Sequence, residues 1–400
     1  MVSASVVTHV HALGTTIFRL ANELELTFHC AINAGSQAVV LPLGRIRKLD
    51  QSGTRMNLKK ISSIVAATLA AAFLYRQLAP RDSFTQKVII ITGGSRGLGL
   101  ALARRLAREQ ARLAILARDE QELGRAKSDL LKYCPVVTTW QCDIKDELAV
   151  QSTIQNIAKH FGRIDVLINN AGEIVGGPLD AMTREDFRNA LDIHFWAPLS
   201  VIFAVLPHLR KGCAARIVNI TSFGGKLAVP HLAPYCVSKF ALTGFSDALR
   251  AELASKNIFV TTVAPGLMRT GSHKNAFFKG DHQKEFTWFS LGAGNPLVSM
   301  GADRAARQIL SAVRRRKPEL VVTLAARSAI IVQALLPNLT ARIVKLAARL
   351  LPRPPAQAPN EIRDGWESES KLSPSVLTFL ADRATEQFNG LRGRLSSRNR

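Results

Sequence analysis

The stretch Lys87–Arg105 constrains the fold of this chain more than any other part of its sequence. It begins with Val88–Ile91, a short β-branched run that predicts a strand buried on both faces. The glycine turn, Thr92–Gly99, follows at once, and the apolar spacing after it predicts a helix. This order leaves unpaired backbone N–H groups at a helix N-terminus, where a phosphate is attracted. The glycine spacing differs from the general G-x-G-x-x-G fingerprint, and a purely structural turn remains an alternative at this point.

Strands and helices alternate after this turn. Further strands are predicted at 112–117, 136–141, 164–168, 215–220 and 319–323, and helices at 119–132, from about 146, at 183–210 and at 303–315. Alternation of this length implies a Rossmann-type α/β fold with a doubly wound parallel sheet. We expect a single catalytic domain over residues 83–325, with N- and C-terminal extensions.

The chain carries a formal net charge of +23, from 53 Lys and Arg against 30 Asp and Glu. Such a charge suits nucleic acid or an anionic membrane surface as partner, and on charge alone would also suit a non-enzymatic surface-binding module. The basic residues are dispersed and do not interleave with aromatic ones, which argues against nucleic acid. The five cysteines form no CxxC pair, which argues against a metal site and favours a reducing compartment.

An apolar segment, residues 56–82, lies ahead of the predicted domain, and residues 1–55 before it carry no clear motif. Within it, Ile61–Tyr75 is uncharged and flanked by basic residues, which predicts a membrane anchor or an interfacial helix. It is shorter than the ~20 residues of a usual spanning helix, so a signal-peptide core and an Ala-rich helix packed on protein remain alternatives. The strand that follows favours the cytoplasmic side of a membrane, and Met56 is a candidate for the true start.

Arg118 follows the second predicted strand, where dinucleotide-binding folds place an acid for NAD or a basic residue for a 2′-phosphate. Ala117 takes the acid's position, and Arg96 in the glycine turn adds a second positive charge. Arginine binds phosphate through its planar fork, so NADP(H) is predicted over NAD(H). The alternative is that Arg118 begins a solvated helix capped by Asp119. Asp143 is expected either to accept from the adenine amine or to cap the next helix.

Tyr235 and Lys239 stand four residues apart at the start of a predicted helix and share one face. A free tyrosine has a pKa of about 10, and a nearby ammonium lowers that pKa. Ser222, at the end of a predicted strand, is placed to hydrogen-bond a substrate carbonyl. The three side chains would supply a donor that polarises an oxygen, an acid that protonates it and a cation that tunes the acid.

These motifs together make residues 86 to about 325 resemble a short-chain dehydrogenase/reductase. The resemblance implies that Tyr235 is the general acid/base, that Ser222 orients the carbonyl or alcohol, and that Lys239 binds the nicotinamide ribose and lowers the tyrosine pKa. No metal is implied. The implied cofactor-binding residues are Gly93, Ser95, Arg96, Gly97, Leu98, Gly99, Arg118, Asp143, Asn170, Ala171, Gly172, Tyr235, Lys239, Pro265, Gly266 and Thr270.

One position departs from the family pattern. The family's fourth catalytic residue is an asparagine in the helix after Asn170, and His194 stands at the matching site. Asparagine there supports a proton-relay water, whereas histidine titrates near neutrality, so we expect a modified relay. A non-catalytic NADP(H)-binding sensor on the same fold is the alternative function. The intact Ser222, Tyr235 and Lys239 argue against it.

The C-terminal third contributes a predicted lid and a basic segment. The lid residues are Phe277, Phe278, Phe286, Trp288, Phe289 and Leu291. An aromatic lid favours a hydrophobic ketone or alcohol as substrate, with ordinary packing as the alternative. Residues 326–351 alternate apolar runs with basic residues, which predicts an amphipathic segment on a membrane, a homo-oligomer contact or packing within the domain. Residues 352–400 are expected to form a flexible tail with one short helix around 375–391.

Overall fold

The computed structural model describes residues 82–209, 214–352, 361–376 and 378–390, and also the backbone of two short strands near the N-terminus. These strands, β1 (Ile32–Asn33) and β2 (Ala38–Val39), pair antiparallel. They belong to a compact unit formed by residues 1–79, whereas all other described residues belong to a second unit, 80–400. The predicted apolar segment Ile61–Tyr75 lies outside the described residues.

Seven parallel strands form the central sheet of the second unit. They are β3 (Val88–Thr92), β4 (Arg112–Ala117), β5 (Val137–Gln141), β6 (Val166–Asn169), β8 (Ala215–Ile220), β9 (Ile258–Ala264) and β13 (Glu319–Val321). Among the described residues of the second unit, five two-residue strands lie outside this sheet: β7 (Val175–Gly176), β10 (Met268–Arg269), β11 (Phe277–Phe278), β12 (Met300–Gly301) and β14 (Arg363–Asp364).

The order of the central strands is β13-β9-β8-β6-β3-β4-β5. The chain runs outward from β3 in both directions, so the order reverses between β3 and β6. Doubly wound folds bind their ligands at such a reversal, beyond the carboxyl ends of the strands. The predicted Rossmann-type α/β fold is therefore confirmed, and its switch point lies directly beside the glycine turn.

Helices cover both faces of the sheet. The described helices of this unit, only some of which cover the sheet, are α1 (Gly97–Arg108), α2 (Glu120–Leu130), α3 (Glu147–Phe161), α4 (Arg184–Leu191), α5 (Ala197–Leu209), α6 (Ala233–Leu253), α7 (His282–Gly294), α8 (Ala302–Arg314), α9 (Leu324–Leu335), α10 (Pro337–Ala348) and α11 (Phe379–Gln387). The β3 side chains alternate between two buried cores: Ile89 and Ile91 pack with α1, α2 and α8, whereas Val88 and Ile90 pack with α3, α5 and α6.

The predicted helix over 183–210 is interrupted. Between α4 and α5 the backbone forms a π-helical turn at Asp192–Trp196, and Thr183 caps α4 through a complete capping box with Asp186.

The whole run Arg184–Leu209 is long and apolar enough to cross a membrane by length and composition. Val201, Ile202, Val205 and Leu209 on α5 are fully buried against the sheet, and this packing accounts for part of the apolar composition.

The C-terminal region is helical over 326–351 and around 375–391, as expected, but its other contacts differ from those of a flexible tail. Residues 326–351 form two helices, because Leu336 leaves the helical region immediately before Pro337. Beyond them, β14 pairs with β11, which in turn pairs with β7, and α11 packs on α7. These contacts replace the expected flexible tail in the described residues between 361 and 390.

Candidate active site

A cleft of about 1090 Å³ opens at the carboxyl ends of the parallel strands. Every residue predicted for the catalytic and cofactor sites lines it, with the exception of Gly99. Gly99 lies behind the wall of the cleft, where a Cβ atom would come within 2.1 Å of the Gly93 carbonyl oxygen. Its contribution is therefore close packing of α1 on the turn, and not contact with a ligand.

The glycine turn is tied to the loop after β6. Thr92 Oγ1 accepts hydrogen bonds from the backbone N–H groups of Asn170 (3.0 Å) and Ala171 (3.2 Å). In return, Asn170 Nδ2 donates to the Gly93 carbonyl at 2.9 Å. Gly93 (φ +62°) lies so close to Ala171 that a Cβ would come within 2.8 Å of its Cα. A residue other than glycine would be strained here and would push the two loops apart.

Ser222, Tyr235 and Lys239 converge on one side of the cleft. Ser222 lies two residues beyond the end of β8 and caps a 3₁₀ turn, where its Oγ accepts the Gly224 N–H at 3.0 Å. Tyr235 and Lys239 lie one turn apart near the start of α6, and Lys239 Nζ is 5.7 Å from the centre of the tyrosine ring. Lys239 Nζ also donates to the Ile220 carbonyl at 3.1 Å, which fixes the side chain beneath the cleft floor.

The electrostatics of this cluster differ from the simple expectation. Burial raises the pKa of Tyr235 to about 12, and the hydrogen bond with Ser222 opposes that rise. Burial also lowers the pKa of Lys239 to about 7, so the ammonium itself is destabilised. Lys239 is 4% exposed, whereas Tyr235 is only half-buried and opens on the cleft, where solvent limits the rise. The net shift of the Tyr235 pKa is therefore upward, opposite to the expected lowering, because burial is its largest cause.

His194 lies in the π-helical turn and is 1% exposed. Ser238 Oγ donates to the Tyr235 carbonyl at 2.8 Å, so it accepts from His194 Nδ1, also at 2.8 Å. His194 Nε2 then accepts the backbone N–H of Glu173 at 3.3 Å. Burial and the neighbouring Lys239 hold the pKa of His194 well below its usual range. The expected titration near neutrality is therefore wrong, and a neutral imidazole joins the loop after β6 to α6.

The other end of the cleft, which we call the ribose end, comprises Ser95, Arg96, Arg118 and Glu122. Glu122 is buried and accepts from Ser95 Oγ and from Arg96 Nη1, both at 2.9 Å. Arg118 is exposed and pairs with Glu173. Each of the two arginines predicted to bind a 2′-phosphate is thus already paired with a carboxylate.

The two acidic residues near this end have different environments. Asp119 caps α2 by accepting the Glu122 N–H at 2.7 Å, as the alternative for this position proposed, while Arg118 still lines the cleft. Asp146, and not Asp143, caps α3. Asp143 lines the cleft and accepts the Lys145 N–H at 3.1 Å, which leaves it facing the space beyond β5.

The apolar end of the cleft contains only part of the predicted lid. Phe277, Trp288, Phe289 and Leu291 line the cleft, together with Leu267, Ile174, Val229 and Leu232. Phe278 and Phe286 are fully buried, with ring centres 5.7 Å apart. These two phenylalanines belong to a small core with Phe289 that supports α7, so both the lid and the packing alternatives are partly correct.

Comparison with known proteins identifies the family. The family model described as short chain dehydrogenase matches residues 87–279. The chain is 31% identical over 303 residues to the dehydrogenase/reductase SDR family member 7B of Danio rerio, covering 72% of this chain and 95% of that protein. It is 32% identical over 251 residues to an SDR family protein 7-like of Drosophila melanogaster, covering 61% and 74%. This chain belongs to the short-chain dehydrogenase/reductase family. It is therefore an NAD(P)-dependent oxidoreductase.

Solved structures agree with this assignment. A short-chain dehydrogenase from Streptomyces avermitilis superposes with a TM-score of 0.57 at 25% identity, covering 67% of this chain and 98% of that one. An L-sorbose reductase from Gluconobacter frateurii, complexed with NADPH and L-sorbose, superposes with a TM-score of 0.54 at 23% identity and covers 60% and 96%. The second likeness bears on the fold alone.

Several contacts of this short-chain dehydrogenase/reductase escaped the sequence analysis. Glu122 and Glu173 stand on a helix and in a loop where carboxylates are common, and no spacing marks them as partners of Arg96 and Arg118. Ser238 lies inside the Tyr235–Lys239 interval and could have been noticed there, three residues after the tyrosine. The described C-terminal residues also reach the glycine turn, and no local pattern in the sequence indicates that contact.

Proposed function

We propose that this chain is an NADP(H)-dependent oxidoreductase that interconverts a carbonyl and an alcohol on a hydrophobic substrate. The observation that carries the proposal is the position of Ser222, Tyr235 and Lys239, between the glycine turn at one end of the cleft and aromatic walls at the other. One elongated cleft therefore offers a phosphate-binding turn, a proton donor and an apolar pocket in series.

The cleft fits a dinucleotide. Its volume suits a cofactor and a small substrate together, and Gly93 and Gly97 keep the turn open in left-handed conformations that a side chain would fill or strain. We propose that Arg96 and Arg118 bind the 2′-phosphate, Asp143 the adenine, and Asn170–Gly172 with Pro265, Gly266 and Thr270 the nicotinamide half. The bound nicotinamide supplies or accepts the hydride.

The side chains of this chain manage the proton. In the reducing direction, Ser222 Oγ donates a hydrogen bond to the substrate carbonyl oxygen, and Tyr235 Oη donates its proton to the same oxygen. The high pKa of Tyr235 keeps the phenol protonated and ready for this step at neutral pH. In the oxidising direction the phenol must first lose its proton. The ammonium of Lys239, whose pKa of about 7 makes it partly charged at neutral pH, then favours the phenolate.

The apolar end supports a hydrophobic substrate. Trp288, Leu291 and Phe277 face the cleft beyond Tyr235, and the described residues around them offer few charged groups. Burying an apolar substrate against such walls contributes roughly 25 cal/mol per Å² of apolar surface. A small ketone or alcohol with an aliphatic or aromatic body fits this arrangement better than a polar sugar.

We also propose that the enzyme lies on the cytoplasmic face of a membrane. The helices α9 and α10 contact each other, and eight large apolar side chains are exposed on them or directly beside them: Leu324, Ile331, Leu335, Leu336, Leu339, Ile343, Leu346 and Leu350. Arg327, Arg342, Lys345 and Arg349 are exposed on the same pair, and the sequence has no Asp or Glu between Glu319 and Glu361. Apolar side chains among cations suit the interface of an anionic bilayer.

A second copy of the chain is the proposed protein partner. Trp196 and Phe203, on the π-helical turn and α5, and Val237 and Phe240, on α6, are each about half exposed. The π-helical turn packs on α6, so these four large apolar side chains lie on neighbouring elements. Large apolar side chains exposed together in this way mark an interface. Sedimentation of the detergent-free protein at several concentrations would show whether a dimer forms.

The test is direct. The purified chain is titrated with NADPH and with NADH, then supplied with a panel of apolar and polar carbonyl compounds while cofactor oxidation is followed. We expect NADPH to bind more tightly and apolar ketones to be reduced, with activity lost in Tyr235→Phe. Binding of NADPH without turnover of any carbonyl or alcohol would favour the non-catalytic sensor. The absence of cofactor binding would contradict both the oxidoreductase and the sensor.

A further inference from the structure

The C-terminal clamp, which we define as Phe388–Gly390, is built into the cofactor end of the cleft. The backbone N–H of Gly97, at the start of α1, donates to the Phe388 carbonyl at 2.9 Å. The Phe388 side chain is 4% exposed and belongs to the main core beneath α1, and Arg104 stacks over its ring at 5.4 Å. The clamp is therefore anchored by burial and does not merely lie on the surface.

Asn389 uses its whole side-chain amide in this contact. Its Nδ2 donates to the Ser95 carbonyl at 2.8 Å and to the Glu122 carbonyl at 3.1 Å, and its Oδ1 accepts from Arg125 Nε at 2.7 Å. The backbone of Asn389 is left-handed, with φ of 55°. Asparagine tolerates this conformation better than most residues. One amide thus joins the glycine turn to the first turn of α2.

A second amide extends the connection to Arg96. Asn275 Nδ2 donates to the Gly390 carbonyl at 3.2 Å, and Asn275 Oδ1 accepts from Arg96 Nη1 at 2.9 Å. Arg96 Nη1 also contacts Glu122, whose backbone carbonyl is held by Asn389. The clamp therefore fixes both the backbone of Ser95 and the partners of the Arg96 guanidinium.

We propose that Asn389 is a positioning residue for the 2′-phosphate of the cofactor. Asn389 acts through Ser95, Arg96 and Glu122, because it fixes the positions of these three residues relative to one another. The inference rests on the proposed function, since it concerns the phosphate that distinguishes NADPH from NADH. The atoms that Asn389 fixes lie at the ribose end, far from Ser222, Tyr235 and Lys239, so loosening them weakens NADPH binding and leaves the chemical step unchanged.

A purely structural role makes a different prediction. If Asn389 served only to hold the C-terminal region on the domain, its loss would lower stability and would weaken NADPH and NADH binding by the same factor. A positioning role acts on the 2′-phosphate subsite, and NADH makes no use of that subsite. The ratio of the two dissociation constants separates these roles, and it is measured by binding, without turnover.

The experiment compares Asn389→Gly with the parent chain by equilibrium titration with NADPH and NADH. Glycine keeps the left-handed backbone and removes only the amide, which avoids the strain that alanine would introduce. Loss of the two hydrogen bonds to Ser95 and Glu122 should raise the Kd for NADPH about tenfold and that for NADH less than about twofold. Gln387→Ala, an exposed amide on the same segment, is the matched control and should change neither constant.

Asn389→Asp provides a second variant. Aspartate keeps the oxygen that accepts from Arg125 and loses both donors, so it should reproduce the NADPH defect with the clamp still docked. Equal weakening of NADPH and NADH in both variants, or no change in either, would overturn the inference while leaving the proposed function intact. A parent chain without preference for NADPH would overturn the proposed function, and the inference with it.

Discussion

The two ends of the cleft are built in opposite ways. At the catalytic end, Ser222 comes from the 3₁₀ turn directly after β8, and Tyr235 and Lys239 come from one helical turn of α6, so all three lie within 18 residues of one another. At the ribose end, Arg96 and Glu122 meet Asn275 and Asn389, from four segments spread over nearly 300 residues.

This difference separates chemistry from recognition. The catalytic end depends on local geometry that any chain with this strand and helix would reproduce. The ribose end depends on long-range packing and on balanced charge: Arg96 faces Glu122, and Arg118 faces Glu173. The affinity of this end for a phosphate depends on how strongly the two arginines attract it and on how strongly the two carboxylates compete for the same arginines. Substituting either member of a pair should therefore change that affinity.

Removing the tyrosine hydroxyl should give the largest effect. We expect Tyr235→Phe to lower kcat by about a thousandfold, because general acid/base groups contribute roughly 10²–10⁴. NADPH binding should change by less than about twofold, since the ring remains in place. Steady-state kinetics and titration measure the two quantities. Tyr133→Phe, a tyrosine away from the cleft that stacks with Arg108, is the control; comparable loss in both variants would contradict a catalytic role.

Replacing both Arg96 and Arg118 should weaken the binding of NADPH much more than that of NADH. In the double variant Arg96→Ala, Arg118→Ala, the Kd for NADPH should rise about 100-fold, because each charge-assisted contact contributes roughly 1.5–3 kcal/mol and part of it is already offset by a carboxylate. NADH binding should fall by less than about threefold. Titration with both cofactors tests this. The control is Arg108→Ala, at the far end of the helix that Arg96 precedes and outside the cleft. An equal loss for both cofactors would remove the assignment of the 2′-phosphate subsite.

Removing the competing carboxylate should have the reverse effect. Glu122→Gln keeps a hydrogen-bonding partner for Ser95 and Arg96 and deletes the negative charge, so NADPH binding should tighten about fivefold while NADH binding stays constant. Glu120→Gln, an exposed residue in the same first turn of α2, should leave both constants unchanged. Weaker NADPH binding in Glu122→Gln would show that Glu122 supports the subsite and does not compete with the phosphate.

The smallest effect concerns acid stability at the catalytic end. The unfolded chain binds a proton at His194 near pH 6.5, whereas the folded chain does not, because burial lowers the pKa of this histidine. Stability attributable to this site should therefore fall as the pH drops below 6.5, by about 1.4 kcal/mol per unit until the folded group titrates. His194→Asn should lose this slope in denaturant unfolding between about pH 6.5 and 5.

The same variant has a second readout. Because His194 is neutral in the folded chain, the profile of kcat between pH 6.5 and 8 should have the same shape in His194→Asn as in the parent. His160→Asn is the control, since it also replaces a histidine by asparagine. His160 lies near the C-terminal end of α3 and does not line the cleft. A shifted kcat profile in His194→Asn alone would indicate that the imidazole takes part in proton transfer.

The sequence predicted the fold and the catalytic end because both rest on local patterns. Buried β-branched runs, glycine turns and an i, i+4 pair each depend on neighbours within about one element, so the strands of the sheet and the position of Tyr235 beside Lys239 followed from them. The directions of the pKa shifts of Tyr235 and Lys239 could not be predicted from these local patterns. The pKa of Lys239 depends on burial beneath the sheet edge, and burial of one side chain is a property of the whole fold.

The ribose end shows why the rest could not be predicted. Charge pairing between Arg118 and Glu173, and the amide contacts of Asn389, join residues with no common period and no fixed separation. Similarly, the C-terminal residues are polar enough to suggest a solvated tail, yet Phe388 and Ala384 supply the few buried side chains that dock them. A few buried apolar side chains are enough to dock such a segment. The average composition of the segment does not reveal them, because most of its residues are polar.

The contact of Asn389 with Ser95 spans 294 residues of sequence. During synthesis the glycine turn therefore leaves the ribosome 294 residues before its hydrogen-bonding partner, and the strands of the central sheet are all made in that interval or directly before it. Contacts with such separation form late because the loop must close before they stabilise anything. The proposed 2′-phosphate subsite is therefore completed only after Ser222, Tyr235 and Lys239 have been synthesised.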